Sequence, residues 1–137
     1  MIERGGAVRA EVVPNVRRKT LQPRVREMVE PGSAVYTDAL RSYSGLSSDY
    51  IHEVVDHAER YVDGQVHTNY MENFCAQLKR GLNGTYISVQ PFHLFRYLDE
   101  RVFTFNLRER NDYGRFEGVL SAATGRRLTY AELTGHR

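Results

Sequence analysis

The sequence predicts an α/β fold in which helices cover a mixed sheet, and three observations carry that expectation. Short β-rich runs fill the first part of the chain: AVRAEVV at 7–13, AVYT at 34–37 and YIHEVV at 50–55. Turn formers separate them, namely Gly5-Gly6, Pro14-Asn15 and Pro31-Gly32. From His67 onward, apolar residues recur three and four apart, the period of helices with one buried face.

Composition sets the outer bounds. With 137 residues, 41% hydrophobic and 26% charged, the chain suits one domain spanning 1–137, with a helical tail from about 111. Membrane-length apolar runs and a signal-peptide pattern at MIERGGAVRA are both missing, so the expected location is cytoplasmic. The single cysteine, Cys75, rules out an intrachain disulfide framework and reads as a small buried hydrophobe. A net charge of +2 does not by itself mark a nucleic-acid protein. Its distribution is more telling, because arginine outnumbers lysine after His67 while Glu53, Asp56, Glu59 and Asp63 crowd just before. Arginine forks suit phosphate, but a solvated basic face accounts for the pattern equally well.

Taken in order, Val8, Ala10 and Val12 alternate with Arg9 and Glu11 as in a half-buried strand. Thr20–Val29 reads as a helix with Leu21, Val25, Met28 and Val29 inward and Pro23 in its first turn. Ala34–Thr37 lacks alternation, as in a strand covered on both faces. It ends at Asp38, where open α/β sheets gather reactive groups; the competing role for Asp38 is N-cap of the short helix that follows. Tyr50–Val55 is a further strand, and Asp56–Gln65 a polar connection. Gln90-Pro91 opens a long helix whose stripe of Phe92, Phe95, Leu98, Val102 and Phe105 reads as packing. A short helix around Phe116, Val119 and Leu120 stops at Gly125. Thr129 and Glu132 then form a capping box, with Leu128 and Leu133 as its hydrophobic staple.

The stretch from His67 to Tyr86, HTNYMENFCAQLKRGLNGTY, organises the chain. As a helix it turns Met71, Phe74, Cys75, Leu78 and Leu82 toward a core. Glu72 and Lys79, seven positions apart, then project from nearly one stripe, flanked by His67, Asn69 and Arg80. That is a plausible reactive edge. The structural alternative is an Asn69–Glu72 capping box, with Lys79 and Arg80 complementing the helix dipole. Gly81 and Gly84 break the helix in either case.

Five segments together resemble one family: VYTDALRSY, HEVVDHAERYV, VHTNYMENFCAQLKRGLNGTY, PFHLFRYLDERVFTFNLR and GRRLTYAELTG. They are similar, in order and over essentially the whole chain, to DDE-type transposases of bacterial insertion sequences, specifically the ISXO-like transposase domain. The resemblance implies a ribonuclease-H-like fold and Mg²⁺- or Mn²⁺-dependent cutting and joining of double-stranded DNA, at transposon ends and target. It implies that Asp38 is the second catalytic aspartate, Glu72 the third acidic residue and Lys79 the basic residue on the same helix. Asp38 and Glu72 would be the metal ligands of a two-metal site. Lys79, Arg80, His67, Asn69 and Tyr86 are the implied DNA-contacting positions; Asn69 is also a lesser candidate for the third ligand, and His57 a lesser site candidate. Asp56 stands where many relatives have Asn. Self-association, or association with full-length transposase, follows from the same likeness.

The family's first aspartate lies upstream of where this sequence starts. Glu3, before a glycine turn, and Glu11, on a strand whose inward face is Val8, Ala10 and Val12, are poor substitutes. The resemblance therefore implies the C-terminal two-thirds of a catalytic domain without its first strand, with an unpaired sheet edge and uncertain activity alone. Two other readings stand beside it: a non-catalytic DNA-binding or regulatory remnant, and a ribonuclease-H-like nuclease of another kind, such as a junction resolvase.

Overall fold

A computed structural model of the chain describes residues 1–3, 6–55, 65–86 and 88–135, with the backbone alone at 65–69. Its elements are α1 (Arg18–Met28), β1 (Ala34–Thr37), β2 (Ile51–Val54), α2 (Gln65–Arg80), α3 (Leu94–Asn106), α4 (Asp112–Ala123) and α5 (Tyr130–Thr134). They fall into two compact units, Val12–Asn73 and Met1–Glu11 with Phe74–Arg137, so the boundary lies within α2. Residues 56–64, most of the expected polar connection, lie outside the described residues.

In the Val12–Asn73 unit, Val25 of α1 packs with Leu46 and Tyr50, and Val29, Val35 and Tyr43 close around them. α1 starts two residues before the expected helix. Pro23 therefore lies beyond the first turn, where its missing N–H leaves the Lys19 carbonyl without a helical donor. Two short 3₁₀ turns, Arg41–Tyr43 and Leu46–Ser48, link β1 to β2. Gly45 before the second has φ +93°, and a β-carbon there would run into the Arg18 guanidinium.

β1 and β2 pair in parallel, Ala34 opposite Ile51 through Thr37 opposite Val54. Among the described residues this pair is the whole sheet, in place of the mixed sheet expected. β1 is not covered on both faces either. Tyr36, 44% exposed, and Ile51, 63% exposed, stand on the same side of the ladder. Val35, on the other side, meets the core.

The second unit is built on Val8, Phe74, Leu98 and Phe105, with Cys75, Leu78 and Val102 packed against them. The Phe74 and Phe105 rings meet edge to face at 5.3 Å. Residues 7–13 do not form the expected strand; only Ile2 and Val8 make an antiparallel bridge. The reason lies in Asn106. Its Oδ1 accepts the Val8 N–H at 2.7 Å and its Nδ2 donates to the Val8 carbonyl at 2.9 Å, so one carboxamide does what a neighbouring strand would have done.

α3 follows a 3₁₀ turn at Pro91–His93, in keeping with a proline-led start. Leu98 and Phe105 of its stripe are buried, whereas Phe92 and Phe95 are about half exposed. Asn111 caps α4 by accepting the Gly114 N–H. The Thr129–Glu132 capping box forms as expected, and Arg96 ties α5 to α3 by donating to the Glu132 carbonyl. The apolar residues of this tail are not core. Phe116, Val119 and Leu120 are each more than half exposed, and Leu128 and Leu133 remain near half exposed.

Two substitutions test this account. Phe105→Ala should cost about 3–5 kcal/mol by opening a cavity at a site only 2% exposed. Asn106→Ala should cost about 1–3 kcal/mol, because Val8, 1% exposed, keeps a backbone N–H and carbonyl that no longer have a partner. Chemical denaturation reads both, and an unchanged midpoint for Asn106→Ala would contradict its strand-like role.

Candidate catalytic carboxylates

Asp38 follows the last residue of β1, at the carboxyl end of the parallel pair. Its side chain is exposed, and Oδ1 accepts the Leu40 N–H at 3.2 Å. This is a local turn contact in which Asp38 braces the loop; Leu40, not Asp38, occupies the N-cap position of the following 3₁₀ turn, which has no side-chain cap. The other carboxylate oxygen has no hydrogen bond among the described residues. The loop is held from beneath by Gln22 of α1, only 4% exposed, whose Nε2 donates to the carbonyls of Ser42 (3.0 Å) and Ser44 (2.8 Å).

Two residues that sequence reasoning does not single out stand beside Asp38. Tyr43 is half-buried, and its phenol is pushed above the ordinary value of 10.0, first by burial and then by the Asp38 negative charge. His52 of β2 shares a 2.8 Å hydrogen bond between its Nε2 and Thr37 Oγ1, and the Thr37 hydroxyl also donates to the Asp38 carbonyl. Nothing in YIHEVV marks His52. Only the register that sets it opposite Val35 brings it next to Thr37.

Glu72 lies on the same unit as Asp38 and is exposed. α2 begins at Gln65, four residues before Asn69, so Asn69 lies inside the helix and not at the N-cap position that the alternative reading gave it. The helix runs unbroken to Arg80, which keeps the expected two-turn spacing between Glu72 and Lys79. Lys79 and Arg80 are exposed in its last turn, where cations also suit the dipole. α2 gives way to a π-helical turn at Gly81–Thr85, the break expected from its glycines. His67 and Asn69 are placed by their backbone only, and His57 lies outside the described residues.

Tyr86 is engaged within its own unit. Its hydroxyl donates to Glu100 Oε2 at 2.6 Å, its ring lies 4.5 Å from that of Tyr97, and the Arg101 guanidinium sits 5.0 Å over it. Desolvation, then the Glu100 hydrogen bond and charge, raise its phenol above the ordinary value, with Arg101 opposing. Arg101 in turn lies against Gly81, where a β-carbon would come within 2.7 Å of its Nε.

Carboxylates such as Asp38 and Glu72 are the kind of hard oxygen donor that Mg²⁺ or Mn²⁺ takes, and among the described residues one oxygen of Asp38 accepts no hydrogen bond. Among the described residues, no group of three or more His, Cys, Asp or Glu gathers for a metal. No described helix is long and apolar enough to cross a membrane.

Asp38→Asn should lower the Tyr43 pKa toward 10.0 without abolishing the shift, since burial is the larger cause. The sign for stability follows. A raised folded-state pKa contributes stability that is fully present below the unfolded value and is lost as pH rises through the folded one. Ultraviolet titration of tyrosinate, with Tyr43→Phe to assign the component, measures this; a Tyr43 component unmoved by Asp38→Asn would contradict their proximity.

Comparison with known proteins adds two matches. The model of the ISXO2-like transposase domain matches residues 1–106, a span that holds Asp38, Glu72, Lys79 and Tyr86 and stops before α4. A protein of Haemophilus influenzae (strain ATCC 51907 / DSM 11121 / KW20 / Rd) described as "Uncharacterized transposase-like protein" is 37% identical over 99 residues, which are 72% of this chain and 80% of that protein. No solved structure matches.

Proposed function

The chain belongs to the ISXO2-like transposase domain family, and from that premise we propose that it serves insertion-sequence transposition by metal-dependent cleavage and strand transfer of DNA. The observation that supports this most is the position of Asp38: an exposed carboxylate at the carboxyl end of a parallel strand, within the matched span, with one oxygen that accepts no hydrogen bond among the described residues. In this reading Asp38 and Glu72 hold Mg²⁺ or Mn²⁺, and the bound ion supplies charge stabilisation at the phosphate. Lys79 contributes a point charge for a DNA phosphate, with Arg80 beside it. His67, Asn69 and Tyr86 are assigned to DNA contact as well, Tyr86 through its ring because its hydroxyl is taken by Glu100, and His57 is a lesser candidate. The short parallel pair is read as part of a ribonuclease-H-like sheet, and self-association or pairing with full-length transposase as the arrangement in which the chain acts.

A second reading, DNA binding without cleavage, is favoured by the exposed Lys79 and Arg80 on a helix end that would contact phosphate whether or not a metal is held. The two separate experimentally. Under the first, Asp38→Asn and Glu72→Gln each weaken Mn²⁺ binding by roughly tenfold or more in calorimetric titration, since even indirect partners of a metal are worth that much. Parent-like Mn²⁺ affinity in Asp38→Asn would sink the catalytic assignment, and salt-sensitive duplex binding without nicking in Mn²⁺ would favour the second reading.

A further inference from the structure

We propose that the basic groove along α1, lined by Arg17, Arg18, Lys19 and Arg26, is a docking surface for the phosphate backbone of duplex DNA, in addition to the Lys79–Arg80 helix end. The inference rests on the DNA-processing reading above but concerns a surface to which that reading assigns no role. Its basis is an imbalance of charge. Arg26 is paired with Asp49 at 2.8 Å and Arg24 with Glu27 at 3.1 Å. Arg17, Arg18 and Lys19 are exposed, and none has an acidic partner among the described residues.

These three cations also stand at the wrong end of their helix. The first turn of α1 has no acidic residue and no side-chain cap, so consecutive positive side chains face the positive pole of the dipole. A sequence shaped for stability alone would favour Asp, Glu, Ser or Thr there. An anion laid in the groove removes the conflict, because it is attracted by the side chains and by the helix end together.

The shape selects among polyanions. The groove is shallow and open to solvent, not closed over a small ion, which suits an extended backbone. Two of the three unpaired groups are guanidinium forks, matched to phosphate oxygens. A membrane surface fits less well, since α1 itself presents no exposed large hydrophobic residue and the exposed Val16 before it is a small apolar anchor. The groove is held in shape by Gln22, which lines it while binding the turn at Ser42 and Ser44. Gly45 leaves room for the Arg18 guanidinium, which approaches that turn through its Nη2.

The test is binding of a short DNA duplex of arbitrary sequence, followed by fluorescence anisotropy across a salt series. The variant is the full chain carrying Arg17→Gln and Lys19→Gln, with Arg18 kept because it packs on Gly45. The expected result is roughly tenfold weaker binding at low salt and a log-affinity against log-salt slope smaller by about 2, near 0.9 for each phosphate no longer neutralised. The thermal midpoint should hold or rise, because cations leave a positive helix end. Should the double variant fold poorly, Lys19→Gln alone should reduce the slope by about 1. Parent-like affinity and slope in the folded variants would overturn the inference while leaving the DNA reading intact. If the parent itself fails to bind duplex at low salt, the DNA reading falls and the inference with it. Loss of binding to phosphatidylserine vesicles but not to duplex would assign the groove to a membrane and likewise overturn it.

Discussion

The carboxamide of Gln22 is the interaction on which the Asp38-bearing unit depends. It is a polar group 4% exposed, and it bridges two carbonyls of the turn that leaves β1. A buried amide with its donors unmet would cost on the order of 1–3 kcal/mol, so the turn cannot drift from α1 without that penalty. The turn carries Tyr43 and follows Asp38, while β1 is fixed from the other side by its ladder to β2. Asp38 is thereby held at a strand end between two anchored segments. The same glutamine lines the basic groove of α1. One buried hydrogen-bonding group thus sets both the carboxylate that would bind a cation and the cations that would bind a polyanion.

The second unit is organised differently. Val8 takes its backbone hydrogen bonds from the side chain of Asn106 instead of from a strand, and so closes a core of Phe74, Leu98 and Phe105 without a sheet. This explains why an alternating sequence at 7–13 does not become a strand. Alternation encodes one buried face, and a single amide partner is enough to bury Val8.

Most helices are legible in the sequence because their signals are local: the proline before α3, the apolar spacing and closing glycine of α4, the capping box of α5. Sequence and structure part where tertiary context decides. The Asn69–Glu72 pair has the spacing of a cap, but α2 extends four residues further back. AVYT has the unbroken apolarity of a covered strand, yet Tyr36 stands 44% exposed. Phe116, Val119 and Leu120 have helical spacing and remain largely exposed. Of the candidate site, Asp38 is readable from its place after a strand, and Glu72 and Lys79 from one helix and a family likeness. Tyr43 and His52 are not, because their nearness to Asp38 and Thr37 depends on a turn and a register that no periodicity encodes. The α1 cations are legible as a basic run, since residues 12–26 hold no acidic residue, but nothing in the run says that Arg17, Arg18, Lys19 and Arg26 share one face with Gln22.

The central proposal is that Asp38 and Glu72 are ligands of the same divalent-metal centre and share at least one of its ions. The most direct measurement is a crystal structure of the chain grown with Mn²⁺, with the ion located by its anomalous scattering. The account predicts a peak bonded to carboxylate oxygens of both Asp38 and Glu72, at the roughly 2.0–2.6 Å expected of a hard cation with oxygen ligands. A manganese ion bound elsewhere, or to one of these carboxylates without the other, would contradict it.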